Sequence, residues 1–419
     1  MGFASAYLEK KTIGRVLVKE EALPGTGIII IVPCFDEPSI SHLLDSLSRC
    51  ETPDCPVEVI VGVNAPPSAT QSQEEQNRVT IKDLESWKQE NKVTPFRLFY
   101  FDAGISIDKG WGAGSARKLI MDEAVSRFDS IDNPGGIIVS LDADCTVSTN
   151  YLVTLYDRFS SSPGVIGASI RFEHIIPGID EEPLLRKAII AYELHMRYYY
   201  QALKYTGYPY VFHTIGSALA ARAAAYVKVG GMNRRQAGED FYFIQKMIPL
   251  GGFIEINDTA VYPSPRTSAR VPFGTGPAVR AIMENPGQQF FTYDPRSFTD
   301  LRILVEMVPS LWEYTPTGED IMEERVPAGL SKFLKANEWL SRVDEARSNT
   351  SSQDSFIKRF YNWFNMFQVV KYLNFVHTSG YYKKIAVEEA SLEMLRIISG
   401  IDIKDDNYKL LARYRMLER

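Results

Sequence analysis

GGIIVSLDADC, residues 135–145, is a run of small and aliphatic residues that ends in two carboxylates one residue apart. Ile137, Ile138 and Val139 are β-branched, and the first charge arrives at Asp142. Such a run reads as a central strand that ends in acids. In open parallel sheets, ligands bind outside the carboxyl ends of the strands. Asp142 and Asp144 stand at that end, and side chains two apart share a face if the strand runs on. Two such carboxylates repel each other and would repel a diphosphate. A hard divalent cation, Mn2+ or Mg2+, removes both repulsions, because it takes oxygens from protein and phosphate together. The plainer alternative is an acidic loop at a strand end, which short motifs often prove to be.

Working outward, GIIIIVP (27–33), VEVIVGV (57–63), FRLFYF (96–101) and VIGASIRF (165–172) are strand-like. Ser41 to Cys50, 79–91, 115–128, 181–206 and 238–249 are helix-like, and 64–78, with Pro66 and Pro67, reads as loop. This alternation predicts an α/β fold with a mixed, mainly parallel sheet flanked by helices. From about 296 to 419 the apolar spacing is helical throughout, broken by SNTSSQDS (348–355). The expected organisation is an α/β domain over 1–295, with halves at about 27–145 and 146–295, followed by a helical region over 296–419.

The chain has 419 residues, 45% of them hydrophobic, enough for a large buried core. A net charge of −6 excludes a nucleic-acid binder of the basic type. Four cysteines are too sparse for a disulfide framework, and no basic-then-apolar leader or bilayer-length apolar run is present. These features point to the cytoplasm. The aromatic, basic stretch 356–384 is read as a packing face, against the α/β domain or a second subunit of a homo-oligomer. Its alternative is a peripheral helix at the inner membrane face.

Other stretches carry chemistry only in combination. Gly110, Gly112 and Gly114, with Lys109 and Arg117, permit close backbone approach to phosphates, or simply begin a helix. Trp111 reads equally as a loop anchor or a stacking surface. Glu239 and Asp240 stand at a helix start, where the amide dipole is expected to keep Asp240 ionised. SPRTSARVPFGTG (264–276) is either a linker or a lid that brings Arg266 and Arg270, with Arg280, over a diphosphate or an anionic acceptor. Arg171 and His213 are undecided, with a core role favoured for the histidine. Leu194, Tyr198 and Tyr205 read as core.

Taken in order, these stretches resemble the family 2 glycosyltransferases of the GT-A fold, over about residues 27–265. IIIIVPCFDEP (28–38) resembles the opening strand and turn, which implies that Pro33 and Glu37 border the nucleoside. VIVGVNAPPSA (59–69) places Asn64 where the family usually has an acid that contacts the base. GWGAGSARK (110–118) resembles the segment whose glycines, here including Gly112, and arginine, here Arg117, lie near the nucleotide. LDADC (141–145) is similar to the metal motif, with Asp142 and Asp144 as ligands and Asp142 also at the nucleotide-sugar. TIGSALAARAAAYVKVGGM (214–232) resembles the acceptor-side segment, and GED (238–240) the acid pair. Asp240 would be the base of inverting members, and Glu239 would orient the site.

The resemblance implies a Rossmann-like GT-A fold with a nucleotide-sugar half and an acceptor half. It implies a hexosyltransferase-type enzyme using Mn2+ or Mg2+. The donor would be a nucleoside-diphosphate sugar, UDP favoured by family frequency, and the acceptor a hydroxyl of a glycan, lipid or small molecule. Two departures stand out. Asn64 replaces the usual acid, and AVYPSPRTSARV (260–271) lacks the later histidine that many members give to the metal. The main alternative is a retaining GT-A enzyme acting on a small phosphorylated acceptor. A sugar nucleotidyltransferase is disfavoured because CFDEP (34–38) stands where its Gly-rich opening belongs. A non-catalytic nucleotide-sugar binder is disfavoured by the intact Asp142, Asp144 and Asp240.

Overall fold

The computed structural model describes residues 2–11, 17–106, 108, 110–235, 238–267, 274–313, 326–400 and 405–419. The chain divides into two compact units: Met1–Leu185 with His213–Ala281 and Glu418–Arg419, and Arg186–Phe212 with Ile282–Leu417.

The first unit is built on an eight-stranded sheet. Its strands are β1 (Ile28–Cys34), β2 (Val57–Ala65), β3 (Arg97–Ile105), β4 (Ile137–Ser140), β5 (Thr146–Val147), β6 (Gly167–Phe172), β7 (Leu219–Arg222) and β8 (Phe253–Tyr262). Their order is β3-β2-β1-β4-β7-β6-β8-β5. β3, β2, β1 and β4 run parallel, as do β6 and β8, while β7 and β5 run against their neighbours. The helices are α1 (Ser5–Lys11), α2 (Ile40–Ser48), α3 (Gln71–Glu90), α4 (Ala113–Ser130), α5 (Tyr151–Ser160), the start of α6 (Pro183–Tyr205), α7 (Ala223–Lys228), α8 (Glu239–Met247) and most of α9 (Thr275–Glu284). This is the mixed, mainly parallel α/β arrangement expected, with helices flanking the sheet.

Helices α3 and α4 pack on the parallel half, so β2 is buried at all nine positions and Ile28 to Val32 are fully buried. Gly62 of β2 makes room for α4, since a Cβ there would fall 2.7 Å from the Ile120 side chain. A buried ion pair closes the other end, Arg127 Nε donating to Glu58 Oε2 at 2.6 Å.

Two local expectations are corrected. Helix α3 starts at Gln71 rather than near 79. Its start is fixed by a capping box in which Thr70 accepts from the Gln73 amide and Gln73 from the Thr70 amide. The first turns are polar and mostly exposed, so they show no apolar period. Strand β4 ends at Ser140, short of the acids. Leu141 N still donates to Ile31 O, but Pro33 has no N–H for the next rung. Asp142 and Asp144 therefore lie on a turn closed by Cys145 N to Asp142 O at 3.1 Å, not on one strand face.

The second unit holds most of α6 together with α10 (Pro295–Met307), α11 (Ala328–Ala336), α12 (Trp339–Ser348), α13 (Gln353–Trp363), α14 (Met366–Thr378), α15 (Val387–Ser399) and α16 (Asn407–Met416). A two-stranded ribbon, β9 (Phe291–Thr292) with β10 (Ile385–Ala386), joins them. Phe356, Phe360, Met366, Val369, Tyr372, Leu373 and Val376 are buried, so the 356–384 stripe is a packing face within this unit. Leu194 and Tyr198 are core, and fully buried Glu193 is held by Arg197 and Arg415 at 2.7 Å. Among the described residues, no helix is long and apolar enough to cross a membrane.

Candidate active site

The carboxyl ends of β1, β2, β3, β4, β6 and β8 lie on one edge of the sheet, because antiparallel β7 and β5 are the only inversions among the described strands. Functional side chains gather there in two ion-paired groups, both within the first unit.

The first group is centred on Arg117 of α4, which is 4% exposed. Its Nη2 donates to Asp142 Oδ1 at 3.0 Å and its Nε to Glu239 Oε1 at 3.3 Å. Its Nη1 donates to the Gly216 carbonyl at 3.0 Å and to Ser140 Oγ. Burial opposes the guanidinium charge, but Asp142, Glu239 and Asp240 outweigh burial and raise its pKa. Gly216 is a glycine because a Cβ there would lie 2.6 Å from Arg117 Nη2. Arg117 thus ties helix α4 to the β4 turn and to the start of α8. Neither Ser140 nor Gly216 was a sequence candidate, since small residues carry no chemical signature until their partner is known.

The second group is centred on Arg266, which follows β8. Its Nε donates to Asp144 Oδ2 at 3.0 Å and its Nη1 to Glu37 Oε1 at 3.1 Å, while Nη2 pairs with Glu37 Oε2. Glu37 is fully buried and also accepts from the Ser39 amide at 3.0 Å. Its carbonyl accepts from Thr80 Oγ1 at 2.7 Å, so α3 fixes the loop after β1. Burial works against the Arg266 charge, but Asp144 and Glu37 raise its pKa overall. Arg270, and Lys109 of the glycine segment, lie outside the described residues. Arg280 is half-buried on α9.

Asp240 lies in the first turn of α8, after Gly238 in the left-handed conformation that favours glycine. Phe241 N donates to Asp240 Oδ1 at 2.7 Å. That amide favours the charged form, as a helix start should, but two larger effects oppose it. Burial first, then the neighbouring Glu239 charge, push its pKa up from 3.8 to about 6, against the opposing pull of Phe241 N–H and Arg117.

The remaining candidates have the following surroundings. Pro33 is half-buried in β1, and Gly112 is the extended N-cap of α4. Gly114 packs against protein backbone: its N donates to Arg235 O, and a Cβ would fall 2.6 Å from the carbonyls of both Asn233 and Arg235. Asn64 Nδ2 donates to Cys34 O and Gly62 O, and its Oδ1 accepts from Trp111 Nε1. Arg171 pairs with Glu173 at 2.9 Å, and His213 meets Glu418 at 3.1 Å and the Phe172 ring edge-on.

Asp142 and Asp144 keep 44% and 22% of their side chains exposed. Among the described residues, no group of three or more His, Cys, Asp or Glu is placed to hold a metal ion. By residue type, Asp142 and Asp144 offer the one or two carboxylates that a cation such as Mg2+ takes when substrate phosphates and water complete its shell.

No family model matches the sequence, and no curated protein matches it. Similar solved structures include S. aureus TarS 1–349 in complex with UDP-GlcNAc, at TM-score 0.40 and 15% identity over 81% of this chain and 91% of that one. They also include the same protein in complex with UDP, at TM-score 0.38 and 14% identity over 91% and 95%. A third is the mannosyltransferase PcManGT from Pyrobaculum calidifontis in complex with GDP-Man and Mn2+, at TM-score 0.34 and 16% identity over 86% and 92%.

Proposed function

We propose that this protein is a metal-dependent glycosyltransferase of the hexosyltransferase type. It moves a sugar from a nucleoside-diphosphate sugar, with UDP the favoured carrier, to the hydroxyl of a glycan, lipid or small-molecule acceptor. The observation that carries this reading is the convergence on one carboxyl edge of Asp142, Glu239 and Asp240 around Arg117, beside Asp144 and Glu37 around Arg266. Opposed carboxylates and guanidiniums are what a diphosphate leaving group and a deprotonated acceptor together require.

The reaction breaks the bond from the anomeric carbon to the diphosphate oxygen and forms one to the acceptor oxygen. A divalent cation held by Asp142 and Asp144 would supply charge stabilisation for the departing diphosphate. Asp240 takes the proton from the acceptor hydroxyl. With a pKa of about 6 it is ionised at neutral pH yet more basic than an ordinary aspartate, which favours general-base work. Glu239 is committed to Arg117, so it positions the site rather than moving a proton. Arg266, paired with Asp144 and Glu37, is the guanidinium nearest to hand for the donor's phosphates. Inversion at the anomeric carbon follows from a base on the acceptor side.

Thermal unfolding with Mn2+ or Mg2+ against UDP, GDP, TDP and their sugars tests the reading, since a ligand of the folded state raises the midpoint by mass action. A metal-dependent rise with one nucleotide, lost in Asp144→Ala, supports it. No rise with any nucleotide counts against it. Product with retained anomeric configuration would remove the base role from Asp240 and favour the retaining alternative.

A further inference from the structure

We infer that Trp111 is the stacking surface for the donor's nucleobase, and that Asn64 is the post that holds its indole in place. The inference rests on the donor-site reading above and deepens it.

Asn64 stands at the carboxyl end of β2 and is 5% exposed. Both of its amide hydrogens are spent on backbone carbonyls, Cys34 O at 3.0 Å and Gly62 O at 3.2 Å. Its Oδ1 accepts from Trp111 Nε1 at 2.9 Å. Its own carbonyl accepts from Asn77 Nδ2 at 2.9 Å, and Asn77 Oδ1 accepts from the Asp36 amide at 2.9 Å, so α3 braces it from behind. A carboxylate at position 64 would turn an oxygen toward two carbonyls with no hydrogen to offer. The site dictates an amide, and the amide is used for support rather than for reading a base.

Trp111 is placed differently. It lies between β3 and α4, in a turn where its amide donates to Asp108 O and the Gly110 amide to Asp108 Oδ1, both at 2.9 Å. Its single polar donor is satisfied by Asn64, yet the residue remains half-buried. Trp111 is half-buried beside the parallel half of the sheet, at the strand ends where α/β folds take nucleotides. With its N–H satisfied, the ring offers a flat π-face. That face suits a flat heteroaromatic and is tolerant of which base it meets.

The test is titration of UDP, GDP and inorganic pyrophosphate, each with Mn2+, by calorimetry and tryptophan fluorescence. Wild-type fluorescence should change on nucleotide binding. That change should be lost in Trp111→Phe, although four of the five tryptophans remain. Trp111→Phe should hold affinity within a few-fold, and Trp111→Ala should weaken nucleoside diphosphates roughly 5- to 100-fold. Pyrophosphate affinity should not move in either variant. Asn64→Ala should weaken nucleotides in the same direction with pyrophosphate again unchanged. Wild-type nucleotide affinity in Trp111→Ala, or an equal loss for pyrophosphate, overturns the inference while the donor site stands. Failure of the wild type to bind any nucleotide overturns the donor-site reading, and the inference with it.

Discussion

Replacing Arg117 by methionine separates a buried clamp from a phosphate contact. Arg117 and Glu239 are each 4% exposed and meet at 3.3 Å. Methionine keeps most of the aliphatic stem but leaves the Glu239 carboxylate buried without its cation. Breaking a buried pair in this way costs about 3–5 kcal/mol. Asp142 also loses its partner, but 44% of its side chain is exposed and it rehydrates, so it adds under about 1 kcal/mol. The expected loss is therefore about 3–5 kcal/mol, set by Glu239. Arg117→Met with Glu239→Gln removes the stranded charge and should recover much of it, with a coupling of more than about 1 kcal/mol between the sites. Urea unfolding at neutral pH, followed by circular dichroism on the four proteins of the cycle, measures both quantities. A single-variant loss under about 0.5 kcal/mol, the size of an ordinary surface substitution, would refute the clamp. So would strict additivity in the double variant.

Asp240→Asn should leave nucleotide binding intact while transfer falls about 10²- to 10⁴-fold, read by calorimetry and single-turnover assay. In the wild type, kcat/KM should fall as pH drops through about 6, because the base must be ionised. The stability effect has the opposite sense: the folded pKa lies above the ordinary 3.8, so the buried charge destabilises fully above pH 6 and the penalty fades as pH falls toward 4. Asp240→Asn should thus raise the melting midpoint at pH 7.5 and do little at pH 4. Arg266→Ala leaves fully buried Glu37 without its guanidinium, for an expected loss of about 1–3 kcal/mol that shrinks in a Glu37→Gln background, by urea unfolding. Gly114→Ala should cost about 1–3 kcal/mol, because its Cβ meets two backbone carbonyls at 2.6 Å. Gly110→Ala should cost much less, its nearest neighbour being the Asp108 side chain at 3.3 Å, and thermal melts compare the two.

The α/β class was legible because strand burial writes itself locally. Ile28 to Val32 and Val57 to Val63 are apolar or small almost without a break, and covering helices require just that. Helix α3 was half legible: its buried positions Thr80, Leu84 and Trp87 mark the second half, while the first half carries only a capping box. Strand β8 is hard to read from residue order because Glu255, Asn257 and Asp258 interrupt its apolar pattern.

For the site, the structure set Asn64 within β2 and both aspartates beyond β4, whereas residue order alone showed that Glu37, Asn64, Asp142 and Asp144 fall at the ends of strand-like runs and that Glu239 and Asp240 open a helix. Those placements follow from side-chain periodicity and turn chemistry within a dozen residues. How the charges are paired was set by the folded structure. Arg117 faces Glu239 from 122 positions away and Arg266 faces Glu37 from 229. It alone turned Arg117 inward, spent the Asn64 amide on backbone, and moved Asp240 to a pKa of about 6. Ion pairing and desolvation depend on distance and burial in space, and neither quantity is carried by the local order of residues.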